Sequence, residues 1–270
     1  MKNLGLARFA KWVFLFTLGV AIGAGVRRAV ATGTPETQVD DASRVVLDRC
    51  IDAMGGAKRL AAITSREAEG AIEIAAAGIR GVVRVRQSAE GKLVSSSELG
   101  AAGTIVRGTD GVHAWEITPG AAPRLLEGAE RTERIERAKR LFIVPLGGSP
   151  DIASIAHAGM ERIEGEEFER LEVASVGGGV RFWLFSKASG HLVHEDSTEK
   201  GPAGNVRVRL THTQFKTVDG VTVPMGAVQD AGGMKVVFTT DPDSLKYNGV
   251  LDAAVFAPPL EIQKLIDAAK

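Results

Sequence analysis

Val206-Arg-Val-Arg-Leu-Thr-His-Thr-Gln-Phe215, then Lys216-Thr-Val-Asp219-Gly220, then Val221-Thr-Val-Pro224, is the stretch that decides the fold. Val206, Val208 and Leu210 alternate with Arg207, Arg209 and Thr211, the period-two pattern of a strand with one apolar face. Asp219-Gly220 is a two-residue hairpin signal, and a second strand over Thr222 to Gln229 follows it. Two strands joined by so tight a turn are antiparallel neighbours.

Read outward from there, the same grammar fills most of the chain. Strands are expected at Ala71–Ala77, Ile79–Gln87, Lys92–Leu99, Thr104–Arg107 and His113–Thr118. In the second half they are expected at Glu161–Ala174, Val180–Lys187, His191–Ser197, Val206–Phe215, Thr222–Gln229 and Met234–Thr240. The separators are turn residues: Glu90-Gly91, Asp110-Gly111, Ser189-Gly190, Asp219-Gly220, Gly232-Gly233. Thirty-two glycines suit a chain of tight turns and bulges. Helices are expected at Ala42–Met54, Ala57–Ile63 and Ala129–Phe142. Asp40-Asp41 can cap the first and Gly55-Gly56 stop it. In the third, Glu130–Arg134, Glu133–Arg137 and Glu136–Arg140 form i,i+4 pairs, the mark of a solvated helical face. The class is α+β, mainly antiparallel: a large curved sheet of roughly eleven strands with helices on it.

The 270 residues carry 33 basic and 33 acidic side chains, and the neutrality hides an asymmetry. Residues 1–31 hold Lys2, Arg8, Lys11, Arg27 and Arg28 and no acid, so residues 32–270 carry 28 basic and 33 acidic groups, a net of −5. An acidic body speaks against nucleic-acid binding, which needs a basic face. Trp12–Val26 is an uncharged run of 15 residues after a short basic start, and Ala29-Val30-Ala31 is an A-x-A cleavage signature. This is the layout of a secretory signal peptide. A helix over that run would reach roughly 22 Å, short of a ~30 Å hydrocarbon core. Residues 1–31 are read as a signal peptide, with an uncleaved inner-membrane anchor as the alternative. Residues 32–41 read as a flexible leader, 42–260 as the folded domain and 261–270 as a C-terminal helical tail. The address is the periplasm. The single cysteine, Cys50, excludes an internal disulfide and lies on the apolar stripe of the first helix with Val46 and Met54.

Chemistry-bearing motifs are missing. There is no G-x-S-x-G elbow, P-loop or dinucleotide fingerprint. His191 and His194 stand three apart on a strand and so point to opposite faces, which is wrong for one metal ion. Glu195-Asp196 is read as a solvated pair at a strand end. No catalytic residue, metal or cofactor is expected, and binding is what remains. Val180–Phe185 is apolar on both sides, with Phe182 and Leu184 pointing one way and Trp183 and Phe185 the other. Such a strand is covered on both faces, or one face lines an apolar cavity. The candidate ligand-binding residues are Trp115, Met160, Phe182, Trp183, Phe185, Phe215 and Phe238, each equally suited to an ordinary core.

A sequence of turns carries a resemblance. Met54-Gly55-Gly56 is followed by Asp110-Gly-Val-His-Ala-Trp115, then by Leu184-Phe185 through Gly190-His-Leu192. Phe215-Lys-Thr-Val-Asp219-Gly220-Val-Thr-Val-Pro224 comes next, and Lys246-Tyr-Asn248 through Asp252 and Phe256–Pro258 closes the series. This order resembles the outer-membrane lipoprotein-sorting proteins of the LolA/LolB-like superfamily, over about Ala42 to Pro259. The resemblance implies an unclosed half-barrel of about eleven strands wrapped around helices. It also implies a non-catalytic periplasmic role in binding or carrying lipid or lipoprotein acyl chains, with envelope membrane proteins as partners. A lipid-sensing or protein-interaction module on the same fold is the alternative, and a hydrolase with a dispersed site a third. An acyl chain needs apolar surface and few hydrogen bonds, and each buried CH₂ is worth roughly 0.8 kcal/mol.

Overall fold

A computed structural model describes residues 37–142, 151–176, 178–201 and 204–269. The expected leader at residues 1–31, and most of the linker after it, lie outside the described residues. In chain order the elements begin with β1 (Gln38–Val39), α1 (Asp41–Ala53) and α2 (Ala57–Ala61). Next come β2 (Ser65–Ile74), β3 (Ile79–Ser88), β4 (Lys92–Glu98), β5 (Thr104–Asp110), β6 (Ala114–Ile117), β7 (Arg124–Leu126) and α3 (Gly128–Lys139). The second half holds β8 (Ile152–Ile163), β9 (Glu166–Ser175), β10 (Val180–Ser186), β11 (Leu192–Gly201), β12 (Gly204–Val218) and β13 (Val221–Ala231). Last are β14 (Met234–Thr240), β15 (Lys246–Tyr247) and α4 (Leu260–Ala268). The fold is α+β and mainly antiparallel, the fifteen strands among the described residues forming an unclosed sheet. β1 and β8 are the one parallel pair described.

The surplus over eleven strands has two causes. β1, β7 and β15 are two or three residues long, too short to show a period. The expected strand Glu161–Ala174 is instead a hairpin of β8 and β9 that turns at Glu164-Gly165, where both residues have positive φ (51° and 91°). Glu is a poor residue for that conformation, so the dipeptide does not announce a turn. The first expected strand is also displaced. β2 starts at Ser65, and Ala75–Ala77 is a turn of 3₁₀ helix.

The chain divides into two compact units. Ile63 to Phe142 with Val236 to Ala269 make one; Thr37 to Ala62 with Asp151 to Lys235 make the other.

In the first unit the sheet runs β14-β2-β3-β4-β5-β6-β7, with β15 also on β2. One face carries an ion-pair ladder in strict register. Glu67, Glu69 and Glu73 of β2 sit opposite Arg86, Arg84 and Arg80 of β3 and bond to them at 2.6–3.0 Å. Arg84 also pairs with Glu98 of β4. Further along this face the charges give way to Trp115, Ile117, Leu125 and Val94, and α4 docks there through Ile262 and Ile266. Trp115 is opposite Gly108 on β5, where a Cβ would stand 2.3 Å from the indole, so the ring lies across a bare stretch of backbone. The other face buries Ile72, Ile74, Leu99, Ile105 and Val236, with Phe238 packed on them. It also takes α3: the carbonyls of Ala138 in its last turn and of Arg140 just beyond it accept from Gln87 Nε2 at 2.9 and 2.6 Å. α3 stops at Lys139, before the expected Phe142. Its Glu130 bonds outward to Arg124 of β7, and its Glu136 to Lys139.

In the second unit the sheet runs β1-β8-β9-β10-β11-β12-β13. α1 begins as the sequence predicts. Asp40 Oδ1 accepts from Ser43 N (2.7 Å) and its other oxygen from His157 N (2.8 Å), tying the cap to β8. Those hydrogen bonds, Ser43's first, lower the Asp40 carboxyl below its ordinary value. The buried stripe is Val46, Leu47, Cys50 and Ile51. Gly55 and Gly56 end the helix at φ +120° and +89°, and Gly56 N returns to Ile51 O. A Cβ on Gly55 would lie 2.4 Å from Gly220 O. Thr222 N donates to Met54 O at 3.0 Å, and Arg59 Nη1 to Gly220 O at 2.8 Å. The Met54-Gly-Gly56 and Asp219-Gly220 motifs are therefore two halves of one backbone junction.

Candidate functional site

β10 is the place to look, because its pattern leaves two apolar faces to be accounted for. Register assigns them. Leu171, Trp183, Glu195, Leu210 and Gln229 form one row across β9 to β13, and the residues two along on each strand share their face. Leu171, Val173, Trp183, Phe185, Val208, Leu210, His212 and Gln229 on this face are all buried. The Trp183 and Phe185 rings meet edge to face with centroids 6.4 Å apart. α1 is fastened beside them: Arg49 pairs with Glu169 of β9 at 3.1 Å, and Gly190 lies against Arg49 and Ala53.

The opposite face is closed by a polar layer. Leu184 and Phe168 are buried, and Phe168 meets the His194 ring edge-on at 5.0 Å. The Arg170 guanidinium lies 3.7 Å over the Phe182 ring. Asp196 accepts a fork from Arg209 (Nε and Nη2, both 2.6 Å) and a further bond from Arg207 (2.6 Å). Arg209 reaches on to Glu161 at 3.4 Å. Burial alone would raise the Asp196 carboxyl; the two guanidiniums outweigh it and hold it below its ordinary value. Burial first, then Arg209, lowers the His194 imidazole. The second apolar face of β10 is thus roofed by arginine stems and a charge network, as long amphipathic side chains can do.

The first face contains a polar island. Trp183 is 0% exposed and its Nε1 donates to Glu195 Oε2 at 3.2 Å. His212 Nε2 lies 2.9 Å from Glu195 Oε1, so with the carboxylate accepting, Nε2 holds the proton. Two strands further along the row, past Leu210, Gln229 is 2% exposed and its Oε1 has no hydrogen-bond partner among the described residues. A buried acceptor left so costs about 1–3 kcal/mol.

The seven candidate residues separate. Trp183 and Phe185 come together. Phe182 is on the other side of the same strand, half-buried under Arg170. Phe215 is half-buried and stacked on His191, rings 4.5 Å apart and nearly parallel. Met160 is 51% exposed on β8. Trp115 and Phe238 belong to the first unit, on opposite faces of its sheet. The sequence reading missed Glu195, His212 and Gln229. Glu195 and Asp196, expected as solvated acids at a strand end, are mid-sheet groups, each engaged by partners on β10 or β12. The available signal was the basic run Arg207, Arg209 and His212 on the next strand, which needs countercharge if its strand is buried. Among the described residues no group of three or more His, Cys, Asp or Glu is placed to hold a metal ion, and no helix is long and apolar enough to cross a membrane.

No known family profile matches the sequence, and no curated protein does. Solved structures do match. A DUF1329 family protein from Desulfovibrio piger superposes with TM-score 0.54 at 13% identity, over 81% of this chain and 98% of that one. A LolA superfamily protein from Nitrosomonas europaea gives 0.54 at 12% identity, over 80% and 97%. An outer membrane lipoprotein-sorting protein domain from Vibrio parahaemolyticus gives 0.51 at 12% identity, over 78% and 94%. At such identities the likeness is one of fold, and it covers nearly the whole of each neighbour. The chain has the fold of the LolA superfamily.

Proposed function

We propose that this protein binds lipid or lipoprotein acyl chains in the periplasm, as a carrier and without catalysis. The observation that supports the reading best is the first face of the second unit's sheet. Aromatic and aliphatic side chains are gathered there on a fold shared with a lipoprotein-sorting domain. Every one of those side chains is covered, so an acyl chain gains the face by displacing what covers it. At roughly 0.8 kcal/mol per buried CH₂, one long chain supplies enough free energy to do so. Envelope membrane proteins are the donors and acceptors such a carrier requires.

The test is mass spectrometry of an organic extract from protein exported with its own leader and purified from the periplasm. Acylated species at near-stoichiometric amounts are expected. A clean extract from folded protein overturns the carrier reading in favour of a protein-interaction module on the same fold.

A further inference from the structure

Across β3 to β7, Val85, Ser95, Arg107, Glu116 and Arg124 stand opposite one another in a single row. The row lies on the face of the first unit that takes α3, and it is polar where a sheet interior is ordinarily apolar. Ser95 is 5% exposed and Arg107 4%. On one side of it stand Gln87 and Thr109, both buried. On the other stand Val83, Ser97 and Ile105, and beyond them the apolar group of Ile72, Ile74, Leu99 and Val236. Arg107 and Ile105 are two residues apart on β5, a step of about 7 Å. One face of one sheet thus passes from charge through hydroxyl to hydrocarbon.

The charged end is rich in guanidinium. Glu116 is shared by Arg107 at 3.6 Å and Arg124 at 3.5 Å, and Arg124 also pairs with Glu130 at 2.9 Å. Arg134 reaches from α3 into the field of both Glu116 and Arg107, with the exposed Glu133 beside it. Burial lowers the Arg107 guanidinium to about 10; Glu116 opposes the shift, and Arg134 and Arg124 add to it. As a purely structural device this is a poor one, since well-packed hydrocarbon in place of a buried ion pair is often neutral or stabilising. The cover over the row is also light. Ala138 is the one buried side chain of α3, Ile135 lies against Gly91, and Gln87 holds the helix end by its carbonyls. So little buried hydrocarbon makes α3 cheap to displace.

This inference rests on the acyl-chain reading above and concerns the other end of the ligand. We infer that Arg107, with Arg134 above it and Ser95 and Ser97 beside it, is a subsite for the anionic headgroup of an acylated ligand, a carboxylate or a phosphate. A guanidinium fork matches either group with two parallel hydrogen bonds. The chain then runs from Ile105 toward Ile72 and Val236. The protein prefers anionic amphiphiles over neutral ones of the same length.

Palmitate, hexadecyl phosphate and methyl palmitate are titrated at pH 8 against the full exported protein carrying a neutral fluorescent acyl-ester probe, and displacement is read. Palmitate or hexadecyl phosphate is expected to displace the probe at about tenfold lower concentration than methyl palmitate, the gap that one charged hydrogen-bonded pair gives. Whichever of the two anions is the tighter names the headgroup. In Arg107→Met the gap closes, and in Arg107→Lys, which keeps the charge, a gap remains. Arg107→Gln serves if the methionine variant fails to fold. Amide hydrogen exchange gives the location: the tighter anion is expected to change exchange in α3 and to leave α4, on the opposite face of the sheet, unchanged. Hexadecyltrimethylammonium matching the anions assigns the effect to charged amphiphiles in general and overturns the subsite. Equal displacement by anion and ester, a gap that survives in Arg107→Met, or an unchanged α3 also overturns it, and each leaves the carrier reading standing. Failure of the neutral probe itself to bind overturns both.

Discussion

Gly55 shows how much a single missing Cβ can hold. Its φ of +120° is open to glycine, and a methyl group there would meet the Gly220 carbonyl at 2.4 Å. Gly55→Ala therefore carries both backbone strain and a collision with main chain that cannot swing aside. A loss of about 2–3 kcal/mol in unfolding free energy is expected from urea denaturation. An alanine variant as stable as the native protein would show that the junction opens freely. The sequence disclosed this residue as a helix stop and disclosed Asp219-Gly220 as a turn. That the two touch was not legible: the resemblance placed both motifs in one series without a physical link between them. Trp183 and Phe185 were legible too, because a strand apolar on both sides must bury both. Gln229 was not: nothing local marks a glutamine as buried, and its row is known only once five strands are in register.

At the scale of elements, alternation and turn chemistry carried most of the sheet. β3, β4, β10, β12 and β13 lie close to where period two places them. The failures are physical. Strands of two or three residues contain no period, and Glu164-Gly165 takes a turn conformation its composition does not advertise. The register between β11 and β12 was equally hidden, and with it the fork from Arg209 to Asp196. That fork has a pH signature. The folded Asp196 carboxyl is held below its ordinary value, so its contribution to stability is fully present above about pH 4 and is lost as the pH falls through the depressed folded value. Asp196→Asn removes the charge, and its stability is expected to be flatter with pH across that acid range than the native protein's. Parallel acid titrations of native and variant by circular dichroism make the comparison; superimposable curves would remove Asp196 from the account.

For the whole molecule, charge is the informative quantity. Residues 1–31 contribute five positive charges and no negative ones to a chain whose isoelectric point is about 7.0. Export with cleavage after Ala31 would leave a net of −5, so a processed protein is expected to focus well below pH 7 with Thr32 at its N-terminus. Isoelectric focusing with intact-mass measurement reads both at once. A neutral species with the full mass would mean that the leader stays and the protein is tethered. A freely diffusing carrier and an anchored sensor are thereby separated without knowledge of the ligand.

Cys50, the chain's single thiol, faces inward from α1, and burial pushes it up to about 11. Only the thiolate reacts, and only when the helix lifts. Its alkylation is therefore a stopwatch on the lifting of α1. Under a fixed excess of reagent at pH 8, the rate divided by that of a free thiol gives the fraction of time α1 stands open. A bound ligand that requires the helix closed over it should slow that clock in proportion to its occupancy. One that props the helix away should quicken it.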